Sequence, residues 1–361
     1  MIGFLIRLGV MLMGKYLFVL PHGDGDALVI EYKAYIYAYH FGIDYASVFS
    51  QGHNFLAYLF SFVYDIVGRE EIVLNLIMVF LGTLLIKYIH DASYLIWKDK
   101  KMAIKIAWVA VFFPQFCLHS ALLLREVPVN LCLLLCVISF IKYMRSLNLI
   151  FLIKFIFFTI FGMLFHSGIF SVFIGTAIFY AFRNRNISVF KKILMLSVIV
   201  VVIYLLNSSN IGLGKFGGSL DEGLDSFYLR ESMYTSGGSA YPNWMRVTGT
   251  VSDIWKIPIR FITFLFAPLI PFLVKSPGHV LGLIDSIFYI YVFRKFYKNR
   301  KTLKNIEEYK FILTVILTLS LVFSLGVSNV GTAIRHRAKF APLLLIAMLS
   351  KKQLSILKIN K

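Results

Sequence analysis

Five short cationic runs cut this chain into apolar stretches: WKDKKMAIK (97–105), KYMRS (142–146), RNRNISVFKK (183–192), RKFYKNRKTLKNIEEYK (294–310) and the tail SKKQLSILKINK. Several of the stretches between them approach or exceed the ~20 apolar residues that a helix needs to cross a bilayer. The chain is 59% hydrophobic and only 15% charged over its 361 residues, whereas soluble domains carry about 25% charged residues. So few charges cannot wrap so apolar a core in water. The runs are continuous rather than alternating, which excludes a transmembrane β-barrel. The expected fold is all-α, a polytopic transmembrane helical bundle forming a single integral membrane domain over 1–361.

The net charge is +19. In a soluble protein that would point to nucleic acid. Here the cations sit between apolar segments, as the retention of Lys and Arg on the cytoplasmic side predicts, and no nucleic-acid partner is expected. With all five runs on that side, both chain ends are cytoplasmic. The stretch Met1 to Pro21 lacks a basic n-region and a clear A-x-A site, so it reads as the first membrane helix. Two segments fall short of a full span: NFLAYLFSFVYDIVG (54–68), and 254–274, which Pro258, Pro268 and Pro271 interrupt. The count is then about ten full spans plus two partial or re-entrant segments. It leaves two large outer loops, 21–71 with interfacial helices and 208–274. Cys117, Cys132 and Cys136 all lie in apolar segments, with no CxxC pair and no sign of a disulfide framework.

The outer turns carry the chemistry. In NVGTAIRHRAKFAPLLLI, the cations Arg335, His336 and Arg337 are expected to start the last helix at its outer mouth. A helix N-terminus attracts anions, and two guanidiniums fork onto phosphate oxygens. The alternative is that they snorkel to lipid headgroups. Arg125 and Glu126, in HSALLLREVPVN, begin a long apolar helix, either as a functional pair or as a local ion pair. His166, in LFHSGIF, is a packing residue or a direct participant. His22, His53, His119 and His166 show no HxH or HxxxH spacing, so no zinc site is expected.

In PHGDGDALVIEYKAY, Asp24 and Asp26 follow the first span among glycines. A carboxylate there can take the proton of an attacking hydroxyl, or D-G-D is a solvated turn. A Ca²⁺ loop would need a terminal Glu that is missing. No metal and no cofactor are expected. Finally, LRESMYTSGGSAYPNWMRVTG and KIPIRFITFLFAPLIPF interleave Arg230, Arg246 and Arg260 with Tyr234, Tyr241 and Trp244. Aromatic rings stack on sugar faces and Arg binds phosphate; otherwise this is a flexible loop with scattered Arg.

The GD motif after the first span, LRE at a helix start, the HSG turn, GGSAYP with its PIRF and FLFAP sequel, and GTAIRHRAKFAPLLLI, in this order, resemble bacterial O-antigen polymerases of the Wzy type, glycosyltransferases related to the GT-C class. The resemblance implies a GT-C-like fold in the bacterial inner membrane and a metal-independent active site facing the periplasm. Such an enzyme joins oligosaccharide repeat units carried on undecaprenyl pyrophosphate. The implied partners are those lipid-linked oligosaccharides, membrane lipids and a chain-length regulator protein. Asp26, Asp24, Glu126 and His166 become catalytic candidates. Arg125, Arg230, Tyr241, Arg246, Arg260, Arg335, His336 and Arg337 become candidates for substrate or pyrophosphate binding. Two rivals stay open: a GT-C transferase using a polyprenyl-phosphate sugar donor, and a flippase or transporter of lipid-linked oligosaccharide. Against the transporter stand the lack of repeated halves and the clustering of charge at one face.

Overall fold

The computed structural model describes residues 1–44, 48–49, 52–183, 239–245, 253–269, 274, 277–303 and 306–348. Among these residues the regular structure is helical, and the single β-bridge pairs Ala240 with Asn329. The described chain gathers into two compact units, Met1–Ser167 and the residues from Gly168 onward.

In unit 1, α1 (Ile2–Tyr16) leads into α2 (Asp26–Ile36), which continues as a π-helical turn over Tyr37–Phe41, and then α3 (Phe55–Val67). These two helices occupy the expected loop 21–71. Glu31 fastens them: Arg69 forks onto its carboxylate at 3.0 and 3.1 Å, and the Tyr64 hydroxyl donates to it at 2.9 Å.

Four longer elements follow: α4 (Glu71–Trp97), the bent pair α5 (Lys100–Phe112) and α6 (Pro114–Ser120), α7 (Glu126–Ser146) and α8 (Leu149–Phe165). Cation-bearing stretches end α4 and α7 as the sequence predicts. Lys98 and Leu147 close them in the left-handed region, at φ 51° and 54°. Asp99 and Asn148 then cap the next helices, accepting from Met102 N and Ile150 N at 3.0 Å. Side-chain oxygens at N-caps satisfy amides that the helix leaves orphaned.

The two-residue turn makes α7 and α8 an antiparallel hairpin, with the Phe140 and Phe155 rings 5.0 Å apart. The Lys15–Glu71 ion pair, at 3.2 Å, sets the end of α1 beside the start of α4. A Cβ on Gly82 of α4 would overlap Ser120, so the bare glycine lets α6 approach.

Unit 2 holds α9 (Ser171–Arg183), α10 (Lys256–Phe266), α11 (Pro277–Leu303), α12 (Glu307–Leu325), α13 (Val330–Ala338) and α14 (Ala341–Ile346). Helices α9 and α12 pack closely at Gly175, where a Cβ would come within 3.1 Å of the Val315 Cα.

Among the described residues three helices are long and apolar enough to cross a membrane, Glu71–Trp97, Glu126–Ser146 and Glu307–Leu325. A fourth span is possible if α5 and α6, bent by 59°, count as one. The apolar stretch 193–207, between the cationic run 183–192 and the outer loop that begins at 208, would be one more of the expected spans and lies outside the described residues.

One expectation is corrected. Arg335, His336 and Arg337 do not start the last helix. They occupy the last turn of the nine-residue α13, which Asn329 caps at its N-terminus, its side chain accepting from Thr332 N at 2.7 Å. The chain then breaks at Lys339–Phe340 and resumes as α14 with Pro342 in its first turn. Proline lacks the N–H that would continue α13 and disfavours a helical residue before it. Cations at a helix C-terminus match the macrodipole, so the mismatch expected at an N-terminus does not arise.

Candidate functional site

In unit 1 the predicted residues collect at one end. Asp26 is the first residue of α2 and Asp24 lies in the turn before it, both exposed. A carboxylate in the first helical turn suits the dipole whatever else it does. A Cβ on Gly23 would stand 3.4 Å from Leu122 Cδ2, so this turn packs on the turn that precedes α7. There Arg125 is half-buried as the N-cap residue, and Glu126, only 1% exposed, begins the helix. His166 follows the last residue of α8, at the same end of the α7–α8 hairpin, and is buried. The acidic turn, the Arg125–Glu126 pair and His166 therefore share one end of unit 1. Asn130, one turn further along α7, is a buried amide there.

In unit 2 two arginines are fully buried. The Arg337 Nη atoms donate to the carbonyls of Leu265, Ala267 and Gly282, at 3.0 Å for Leu265. Leu265 and Ala267 lie at the end of α10, where helix carbonyls have no intrahelical partner. Arg260 repeats the arrangement, donating to Ser324, Leu325 and Val327 at the end of α12 and to Met245 O, at 2.7–3.3 Å. These guanidiniums serve as caps for other helices' ends. The bonds fix their planes and spend donors that the anion reading would assign to phosphate.

Tyr241 and the RHR stretch are brought together by backbone pairing. Tyr241 N donates to Ser328 O and Val330 N to Ser239 O, both at 2.9 Å. Tyr241 is 4% exposed, and its hydroxyl makes no hydrogen bond among the described residues. Burial pushes its phenol above the usual range against the pull of the nearby Arg260 and Arg337 cations, so it stays a neutral donor. Residues two apart on a helix point about 200° apart. Arg335 accordingly faces away from Arg337 and is half-buried. His336, also half-buried, sets its ring 5.3 Å from Phe323. Arg230, Tyr234 and Arg246 lie outside the described residues.

Three of the buried ionisable residues that sequence reasoning missed bear on these helix ends and arginines. Arg7 donates to Ala110 O at 3.1 Å and Val111 O at 3.4 Å, at the end of α5. Asp285 of α11 is fully buried and sits close enough to Arg337 to act on its charge. Lys339 is 1% exposed, with its Nζ 5.9 Å from the centre of the Phe323 ring. The signal was present in FLIRLGV and GLIDSIF, single charges inside apolar runs, which mark an interior partner. No group of three or more metal-ligating side chains occurs among the described residues. Comparison with protein-family models, with curated proteins and with solved structures finds no match.

Proposed function

We propose that this chain is a membrane glycosyltransferase that polymerises lipid-linked oligosaccharide repeat units, of the O-antigen polymerase type. The observation that supports this reading best is in unit 2. The two segments carrying the strongest resemblance, GGSAYP and GTAIRHRAKFAP, meet where Ala240 of the first bridges Asn329, two residues before the second. That pairing sets a phenolic donor, which makes no hydrogen bond among the described residues, near two guanidiniums. Donors arranged before the substrate arrives stabilise a developing oxyanion at little reorganisation cost.

In this reading a sugar hydroxyl oxygen of one lipid-linked unit attacks the anomeric carbon of another. The bond from that carbon to the pyrophosphate oxygen breaks, and undecaprenyl pyrophosphate leaves with the electron pair. The hydroxyl proton passes to a carboxylate, for which Asp26, Asp24 and Glu126 are the candidates that the sequence pattern names. Tyr241, on the Arg337 side of α13, and Arg335, on the side facing away from it, are alternative candidates to contact the leaving anion, with His336 a third. Arg260 and Arg337 hold the backbone that carries these residues. About ten spans, a GT-C-like arrangement, a periplasmic active site in the bacterial inner membrane and a chain-length regulator as partner belong to the same proposal.

The test is the glycan ladder on lipopolysaccharide from a deletion strain. Loss of the ladder with one capping unit retained is expected, restored by the wild-type gene. Asp26→Asn should fail to restore it while Asp24→Asn restores it partly. A deletion strain with an unchanged ladder would sink the reading. Purified enzyme should consume diphosphate-linked donor and ignore polyprenyl monophosphate sugars; the reverse preference would point to the single-sugar transferase.

A further inference from the structure

Helix α10 has two faces of different character. Arg260 and Phe264 on one side are fully buried. On the other, Trp255 and Ile262 are 56% and 57% exposed, and Pro258 between them is exposed as well. Ile254 and Trp244 extend this stripe, at 61% and 53% exposure. The rings of Trp244 and Trp255 lie with planes 4° apart and centres 6.2 Å apart, so they overlap only at their edges. Lys256 flanks them, its Nζ bonded to Asp253 at 2.6 Å and 6.0 Å from the centre of the Trp255 ring. The named stripe itself carries no charge.

At about 1.5 Å per residue, eleven residues reach about 16 Å, roughly half of a ~30 Å hydrocarbon core. The helix therefore cannot cross. Its C-terminal carbonyls are nevertheless satisfied by Arg337. That is what the end of a half-helix requires where neither water nor a continuing helix can serve it. An uncovered apolar stripe with two indoles and a flanking cation matches the headgroup–acyl boundary, where tryptophan sits with its ring in hydrocarbon and its N–H in the polar layer.

We infer that the outward face of α10, anchored by the stacked pair Trp244 and Trp255, docks into the bilayer interface and holds this half-helix there. The inference does not depend on the proposed enzymatic activity. Four tryptophans occur in the chain, Trp97, Trp108, Trp244 and Trp255. Trp97→Phe with Trp108→Phe leaves the pair as the only indole fluorophores.

That variant, reconstituted in phosphatidylcholine nanodiscs, should lose more fluorescence to lipids bearing a nitroxide just below the headgroup than to lipids bearing it near the chain end. It should lose least to aqueous iodide. Stronger quenching by the chain-end nitroxide would place the helix at depth and overturn the inference. So would iodide dominating both, together with a spectral shift on adding soluble polysaccharide; the pair would then be a glycan platform in water. Should the Phe variant misfold, quenching of the wild-type chain minus that of Trp244→Phe/Trp255→Phe reads the same quantity.

Discussion

The α7–α8 hairpin of unit 1 and the α10, α13 and α14 region of unit 2 use arginine to different degrees, because their helices differ in continuity. Helices α7 and α8 run unbroken for 21 and 17 residues, so their backbones satisfy themselves except at the ends. One arginine suffices nearby: Arg145 donates to Leu95 O at 2.7 Å, at the end of α4. Unit 2 breaks its chain into helices of eleven, nine and six residues. Each break leaves carbonyls that an apolar surrounding cannot hydrate. Arg337 supplies the missing donors at the end of α10, and Arg260 does the same at the end of the 19-residue α12, each from an element far away in sequence. A fully buried arginine in unit 2 is first a remedy for a helix end that water cannot reach.

The sharpest way to break this comparison is Arg337→Ala. Leu265 O, Ala267 O and Gly282 O each lose an Arg337 donor, with Ser286 Oγ still within 3.0 and 2.8 Å of the last two, and a buried acceptor left unpaired costs about 1–3 kcal/mol. Folded protein should fall severely in detergent size-exclusion profiles, with the unfolding temperature well below wild type. Arg337→Lys should recover only part, because an ammonium lacks the planar fork. A stable Arg337→Ala protein would return Arg337 to the substrate candidates.

Arg335→Ala tests the opposite face of α13. Its unfolding temperature should fall by less than that of Arg337→Ala, since Arg335 is half-buried where Arg337 is fully buried. Polymerisation should drop about tenfold to hundredfold, the equivalent of a charge-assisted contact of roughly 1.5–3 kcal/mol. Equal loss of stability in the two alanine variants would erase the distinction between clasp and ligand.

Two smaller changes address unit 1. Gly82→Ala should cost about 1–3 kcal/mol by overpacking, since the new methyl overlaps Ser120 and comes within 3.2 Å of the Arg7 Nε. Ser120→Gly should relieve most of it, a coupling that a double-mutant cycle measures. Lys15→Met removes the half-exposed pair with Glu71 and should cost under about 1 kcal/mol. A larger loss in thermal unfolding would mean that this end of unit 1 relies on surface charge more than on packing.

Hydropathy by itself determined the class and the places where the chain turns. The helices end near Ser120, Phe165 and Leu325, where the sequence predicts reversals, because apolar content and cationic boundaries are properties of neighbouring residues. The short reach of 54–68 and 254–274 was equally local, and both became short helices. The site was legible only as a set of names. Arg335, His336 and Arg337 stand together in the sequence, yet helical rotation aims them in different directions, and Pro342 limits the helix they were expected to begin. The partners of Arg337 are 72, 70 and 55 residues away, and those of Arg260 at the end of α12 are 64 to 67 away. Such pairings depend on which chain ends meet in space. Tertiary structure alone decided that two of the predicted anion-binding arginines hold backbone, and that Tyr241 lies beside them.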